Sequence, residues 1–186
     1  MSSIAARTRE KEGHKYGGSP EAIKHHYDIG NDFWRLVLGP TYTYSAALFT
    51  DANDDLETAQ NRKIDWHLAS ANAHNAKSVL EVGCGWGTIL KRLSDNVAIE
   101  RIVGLTLSEA QSRHLHAQKM RNVEVRVENW ALYEPEEKFD SIISIGAFEH
   151  FAKLEESQEE KLAVYREFFE RCHRWLEPTG RMSLQT

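Results

Sequence analysis

Residues 81–88 read EVGCGWGT, and they follow directly on the apolar run SVL at 78–80. The chain holds 11 glycines, and three of them, Gly83, Gly85 and Gly87, fall within five positions. Glycine loses more backbone freedom on folding than any other residue. Such a cluster therefore marks either a flexible linker or a backbone that must turn sharply or pass close to something. The flanks argue against the linker. SVLEV reads as a strand, and TILKRLSDN carries Ile89, Leu90 and Leu93 at helical spacing.

Downstream the same alternation repeats. Strand KSVLEVG leads to a helix over 87–96, strand RIVGLTL to a helix over SEAQSRHLHAQKM, and strand VEVRVEN to a loop. Strand FDSIISIGA follows, then a charged stretch, a helix from about Gln158 to Leu176, the turn EPTG and strand RMSLQT. This order predicts an α/β fold: a doubly wound, mostly parallel sheet with helices on both faces. Upstream, residues 1–18 are polar and are expected to be mobile or ordered only over a ligand. Ser19-Pro20 offers an N-cap and a first-turn proline for a helix through EAIKHHYDI. A second helix, NDFWRLVLG, stops at Gly39-Pro40. The aromatic, extended-looking TYTYSAALF and the acidic loop TDANDD come next. A helix from Leu56 to about Ala73 then places Ile64 and Leu68 on one face, with Ala59, Lys63 and His67 beside them.

Bulk properties narrow the function. A chain of 186 residues with 41% hydrophobic side chains suits one domain with a real core. The net charge of −5 lacks the basic footprint of a nucleic-acid binder. Cys84 and Cys172 form neither a disulfide framework nor a metal-ligand spacing, which fits a reducing cytoplasm. The charged N-terminus does not read as a signal peptide, and no run approaches the roughly 20 apolar residues that span a bilayer. Contact with a membrane is expected to be peripheral at most. Histidine pairs give no metal site either: His25 and His26 are adjacent on a helix and point apart, and His114 and His116 fail for the same reason.

In a doubly wound sheet the turn after the first strand lies where ligands bind, and the next helix offers free N–H groups there. A dinucleotide-binding turn has its third glycine in the pattern G-x-G-x-x-G, but position 88 is threonine. A nicotinamide dehydrogenase is thus disfavoured. The observed G-x-G-x-G also suits a merely tight strand-to-helix turn. Beyond the glycines, VLEVGCGWG, VGLTLSEAQ, SIGAFEHF and the upstream HYDIGNDFWRLVLGPTYTYSAALF occur in order. Together these four blocks resemble the S-adenosylmethionine-dependent methyltransferases of the cyclopropane-fatty-acid synthase and mycolic acid synthase family, over roughly residues 24–186.

The resemblance implies a helical cap over residues 1–75, with His25, His26 and Tyr27 in a helix over the cofactor, and a Rossmann-like S-adenosylmethionine domain over 76–186. It places Gly83 and Gly85 under the methionyl part and ribose. Glu81 would take the ligand's ammonium through water, or simply fix the turn. Thr106-Leu107 and Gln111 stand where many methyltransferases hold the ribose with an acid. Trp130 is placed along the adenine, with core packing as the alternative reading, and Ile145 on the ring's other side. The family's acid beside that tryptophan is Ala131 here. Tyr44 and Ser45 match positions at the methionine end, where an aromatic ring gains from a sulfonium. A half-buried strand edge would account for Tyr42 and Tyr44 equally well.

For catalysis the resemblance implies Glu149, Tyr44 and Gln185. Cyclopropane formation on an unsaturated acyl chain ends with loss of a proton, which in the family a bound bicarbonate is thought to take, held by the glutamate matching Glu149. Two positions depart from the pattern. Ala46 replaces a common cysteine after Tyr44-Ser45, and Gln185 replaces a histidine. Glutamine binds an anion but shuttles no proton. Phe148, Phe151 and Trp34 are candidates for an apolar substrate pocket or for the core. The departures leave open a C- or N-methyltransferase acting on a small metabolite of secondary metabolism, and an inactive cofactor-binding fragment. The sequence stops inside what should be the fifth strand, so a truncated catalytic domain is expected. Its unpaired strand edge would invite pairing with a second copy, making a homo-oligomer one outcome.

Overall fold

A computed structural model describes residues 31–186, and the expected helix at Ser19-Pro20, with His25, His26 and Tyr27, lies outside them. The strands are β1 (Ser78–Val82), β2 (Arg101–Thr106), β3 (Val123–Val127), β4 (Phe139–Ile145) and β5 (Leu176–Gln185). The helices of the described residues are α1 (Asn31–Leu38), α2 (Leu56–Ser70), α3 (Thr88–Ser94), α4 (Glu109–Ala117) and α5 (Gln158–Trp175). The sheet order is β3-β2-β1-β4-β5, and every neighbouring pair is parallel. The chain leaves β1 for one side of the sheet and returns to its other side with β4. That reversal is the switch point at which doubly wound folds bind ligands.

Alternation along β1 decides which side chains reach which layer. Leu80 and Val82 join Val103, Leu105, Phe139 and Ile142 in a core covered by Val164, Phe168, Cys172 and Trp175 of α5. Val79 faces the opposite layer, with Ile64 and Leu68 of α2, Ile89, Leu90 and Leu93 of α3, and Leu115 of α4. Glu81 shares parity with Val79, so a carboxylate is carried toward α2 and the glycine turn. The helix starts have local causes. Asp55 accepts from Thr58 N at 2.7 Å, Ser108 caps α4, and Ser157 with Glu160 forms a capping box on α5.

Several boundaries differ from those the sequence suggests. The segment 41–49 forms no strand, because Tyr42 takes a left-handed backbone (φ 53°) that interrupts extension. α2 ends at Ser70, before the left-handed Asn72, and α4 ends at Ala117, before the left-handed Lys119. EPTG at 177–180 is not a turn preceding the last strand. Leu176 already pairs with Phe139 and Arg181 with Ser141, so the four residues bulge out of a continuous β5.

Candidate cofactor crevice

The glycine turn is a left-handed staircase: Gly83, Gly85 and Gly87 have φ of 82°, 53° and 82°. The three are bare for different reasons. A Cβ on Gly83 would overlap the Cβ of Ala147, and one on Gly87 would overlap the side chain of Leu115. At Gly85 it would meet nothing within 4 Å. The first and last glycines are therefore required by the protein's own packing, while the middle one faces open space.

That space is a crevice at the carboxyl end of β1. Its walls include Tyr44, Ser45, Lys63, Glu81, Trp86 and Gln111, with Gly83, Gly85, Ile145 and Gly146 completing it. A strap over residues 40–46 closes one side and is tied down at three points. Thr88 Oγ1 donates to Thr41 O (2.8 Å), Gln60 Nε2 to Thr43 O (3.1 Å), and Lys63 Nζ to Ser45 Oγ (2.6 Å). Aromatic contacts add to these: Trp34 lies 5.2 Å from Tyr44 and 6.3 Å from Trp86, centroid to centroid. Trp34 and Trp86 are both buried, and Trp86 Nε1 has no hydrogen-bond partner.

The electrostatics are dominated by burial. Glu81 is only 4% exposed, its Oε2 has no partner, and burial raises its pKa well above the usual carboxylate range, against the pull of Lys63. Burial pushes the Lys63 ammonium down to about 8, with Glu81 acting in the other direction. The His67 imidazole, one turn along α2 and 2.8 Å from Ser183 Oγ, is lowered by burial and by the Lys63 charge. The Cys84 thiol is raised by burial and stays neutral. A stability signature follows. The unfolded Lys63 titrates at 10.5 and the folded one at about 8, so between these values the unfolded chain holds more protons. Wild type should therefore gain stability relative to K63M as pH rises from about 8 to 10.5, by about 1–3 kcal/mol. Thermal unfolding across that window measures it, and a flat difference would contradict the burial of the ammonium.

The residues expected from the sequence separate into three groups. Tyr44, Ser45, Glu81, Gly83, Gly85, Gln111 and Ile145 all line the crevice. Glu149 and Gln185 do not line the crevice but each lies close to Gly146, which does. The Gly146 N–H donates to Gln185 O (3.1 Å), and Glu149 Oε1 lies 3.7 Å from where a Gly146 Cβ would be. Glu149 is exposed on the short turn Phe148–His150, whereas the Gln185 side-chain oxygen is buried and close enough to the His67 imidazole to favour its protonated form.

The third group lies outside that lining. The Thr106 hydroxyl is committed inside the protein, donating to Gln111 Oε1 (2.7 Å) and accepting from Ser108 N (3.1 Å). That leaves the Gln111 amide nitrogen as the free donor of the pair. Leu107, half-buried just past β2, does not line the crevice. Neither does Trp130, whose ring is 5% exposed and sits in the core, 5.0 Å from Phe151 and 5.2 Å from Phe168. The turn after β3 drives it inward, with Leu132 and Tyr133 N–H groups both donating to Asn129 O. Phe151 is likewise core, and Phe148 stacks on Tyr165 at 4.5 Å.

Lys63 and Trp86 also line the crevice, outside the set expected from the sequence. A four-residue repeat of Ala59, Lys63 and His67 beside Ile64 and Leu68 was the available signal, since all five are buried.

Known proteins agree with this architecture. The family described as mycolic acid cyclopropane synthetase matches over residues 14–186. Cyclopropane mycolic acid synthase 3 of Mycobacterium tuberculosis is 40% identical over 171 residues, covering 88% of this chain and 55% of the relative. The solved cyclopropane synthase MmaA2 from Mycobacterium tuberculosis superposes with a TM-score of 0.77 at 36% identity, over 90% of this chain and 56% of that one. Mycolic acid cyclopropane synthase CmaA1, solved in complex with SAH and CTAB, gives 0.76 at 36% identity over the same shares. The chain thus spans about half the length of the curated relatives it matches. Coclaurine N-methyltransferase shares the fold alone, at 22% identity and a TM-score of 0.76. With the family match running through the glycine turn, the strap and the Glu149 turn, the chain belongs to the mycolic acid cyclopropane synthetase family.

Proposed function

We propose that this chain carries the cofactor site of an S-adenosylmethionine-dependent transferase that adds a one-carbon unit to an unsaturated lipid acyl chain. One observation carries the reading. The crevice combines backbone left bare at Gly85, where nothing of the protein would fill the space, with a buried carboxylate oxygen of Glu81 that lacks a partner. Both features fit a nucleoside with a cationic amino-acid head, and the relative CmaA1 was solved with SAH. When bound, S-adenosylmethionine supplies an electrophilic methyl carbon.

The chain's own residues would do the rest. Glu81 receives an ammonium, the Gln111 amide donates to ribose oxygen, and the Tyr44 ring lies beside the sulfonium end. The strap and Trp86 exclude water from the crevice. Glu149, at the carboxyl end of β4, is the carboxylate that takes the proton released on ring closure, directly or through a bound bicarbonate. Among the described residues no helix is long and apolar enough to cross a membrane, so the acyl chain would be met at a surface or on a carrier.

Calorimetric titration of the chain with S-adenosylhomocysteine tests the cofactor assignment, and a failure to bind sinks it. Mass spectrometry of unsaturated phospholipid vesicles, with and without bicarbonate, should show products heavier by one CH2. In that assay Glu149→Gln is expected to lower turnover about 100-fold or more while leaving S-adenosylhomocysteine affinity within about twofold. Equal activity in both proteins would remove Glu149 from the chemistry. Ala46 and Gln185 favour a second reading, methyl transfer to a small metabolite without ring closure. Bicarbonate-stimulated products on vesicles would exclude that as the main role.

A further inference from the structure

The crevice carries two ionisable side chains of opposite type, Lys63 of α2 and Glu81 of β1, and both are nearly completely buried. They are close enough to influence each other's ionisation, yet no ion pair within 4.0 Å joins them. Lys63 spends one donor on the Ser45 hydroxyl, and Glu81 Oε2 has no partner at all. The other titratable groups packed around them contribute little charge. Burial and the Lys63 ammonium hold His67 toward its neutral form, and burial keeps the Cys84 thiol neutral. Burying two opposite charges without pairing them is costly, and the cost is offset when something between them satisfies both. A zwitterionic α-amino acid group is such an occupant, with its ammonium toward Glu81 and its carboxylate toward Lys63.

We propose that Lys63 is a cofactor-binding residue which, together with Ser45, receives the carboxylate of the methionyl head opposite the ammonium held by Glu81. This rests on the S-adenosylmethionine reading above and assigns the second half of its amino-acid clamp. The geometry explains why the strap is tied to α2 through Ser45. A single ammonium draws the hydroxyl and the ligand carboxylate to one point, so the strap is set in place by the group that binds the head.

Two ligands that differ only at the head test it by calorimetry on the full chain. S-adenosylhomocysteine carries the zwitterion; methylthioadenosine keeps the nucleoside and thioether without it. K63M should weaken S-adenosylhomocysteine about 10- to 100-fold and alter methylthioadenosine by less than about twofold. Equal losses for both ligands would make Lys63 a structural support and overturn the proposal, as would an unchanged S-adenosylhomocysteine affinity. Wild-type protein that binds neither ligand would instead remove the cofactor reading itself. Should K63M fail to fold, K63Q keeps a polar side chain at the position, and the same selective loss is expected from it.

Discussion

Truncating Phe168 to alanine is expected to destabilise the fold by about 3–5 kcal/mol, measured by equilibrium urea unfolding. Phe168 is fully buried, and its ring centroid lies 4.8 Å from Phe151, 5.2 Å from Trp130 and 5.7 Å from both Phe148 and Phe169. A cavity lined by aromatic rings collapses poorly, so the lost transfer energy and most of the cavity cost should both appear. The loss is a large fraction of the roughly 5–15 kcal/mol that holds a domain folded. It should also reach the turn proposed to act in catalysis. Phe148 and Phe151 flank Glu149, and both rest on Phe168, so the turn that carries the carboxylate loses its floor. A change below about 1 kcal/mol would mean that the rings are not packed as described.

The glycine turn yields the second large effect, and the contrast within it is the informative part. Gly83→Ala combines a left-handed backbone with overlap onto Ala147, a residue with no flexible side chain to move aside. Together these should cost about 2–5 kcal/mol. Gly85→Ala shares the left-handed backbone but meets no protein atom, so its cost should stay near 1–2 kcal/mol, on the order of the backbone term alone. Its larger consequence should be for ligand affinity, since the added methyl would occupy the open crevice. Urea unfolding and S-adenosylhomocysteine titration of the two variants separate the effects. If Gly85→Ala binds as wild type does, the open space at that position is not ligand space.

How much of this was legible in the sequence depends on how local each cause is. The strand–glycine–helix unit and the alternation that follows were readable because periodicity and turn chemistry act over a few neighbours. Glu81, Gln111 and Ile145 reach one crevice because each sits near an element's end beside the switch point, and the strap brings Tyr44 and Ser45 to it. The repeat of Ala59, Lys63 and His67 marks Lys63 as inward-facing but not as part of a crevice. Its neighbours there, Glu81 from β1 and Ser45 from the strap, are not announced by its own helix. Trp130 follows β3 at a position that suits either a crevice wall or the core. Phe151 and Phe168, from later segments, draw it into the core. EPTG has the composition of a turn, but pairing of Leu176 with Phe139 holds the strand on both sides of it and forces a bulge.

The chain order of the sheet also bears on how the protein comes into being. β2 and β3 can dock on one flank of β1 soon after they are made, but the opposite flank waits for β4, where Ser144 Oγ donates to Val82 O across 62 residues. Contacts between such distant segments form slowly, because a long loop must close before they are rewarded. Ile145 and Gly146, which complete the crevice, arrive with that same strand. During synthesis, completion of the crevice must therefore be a late event, and until β4 inserts the nascent chain relies on packing outside the crevice to avoid aggregation.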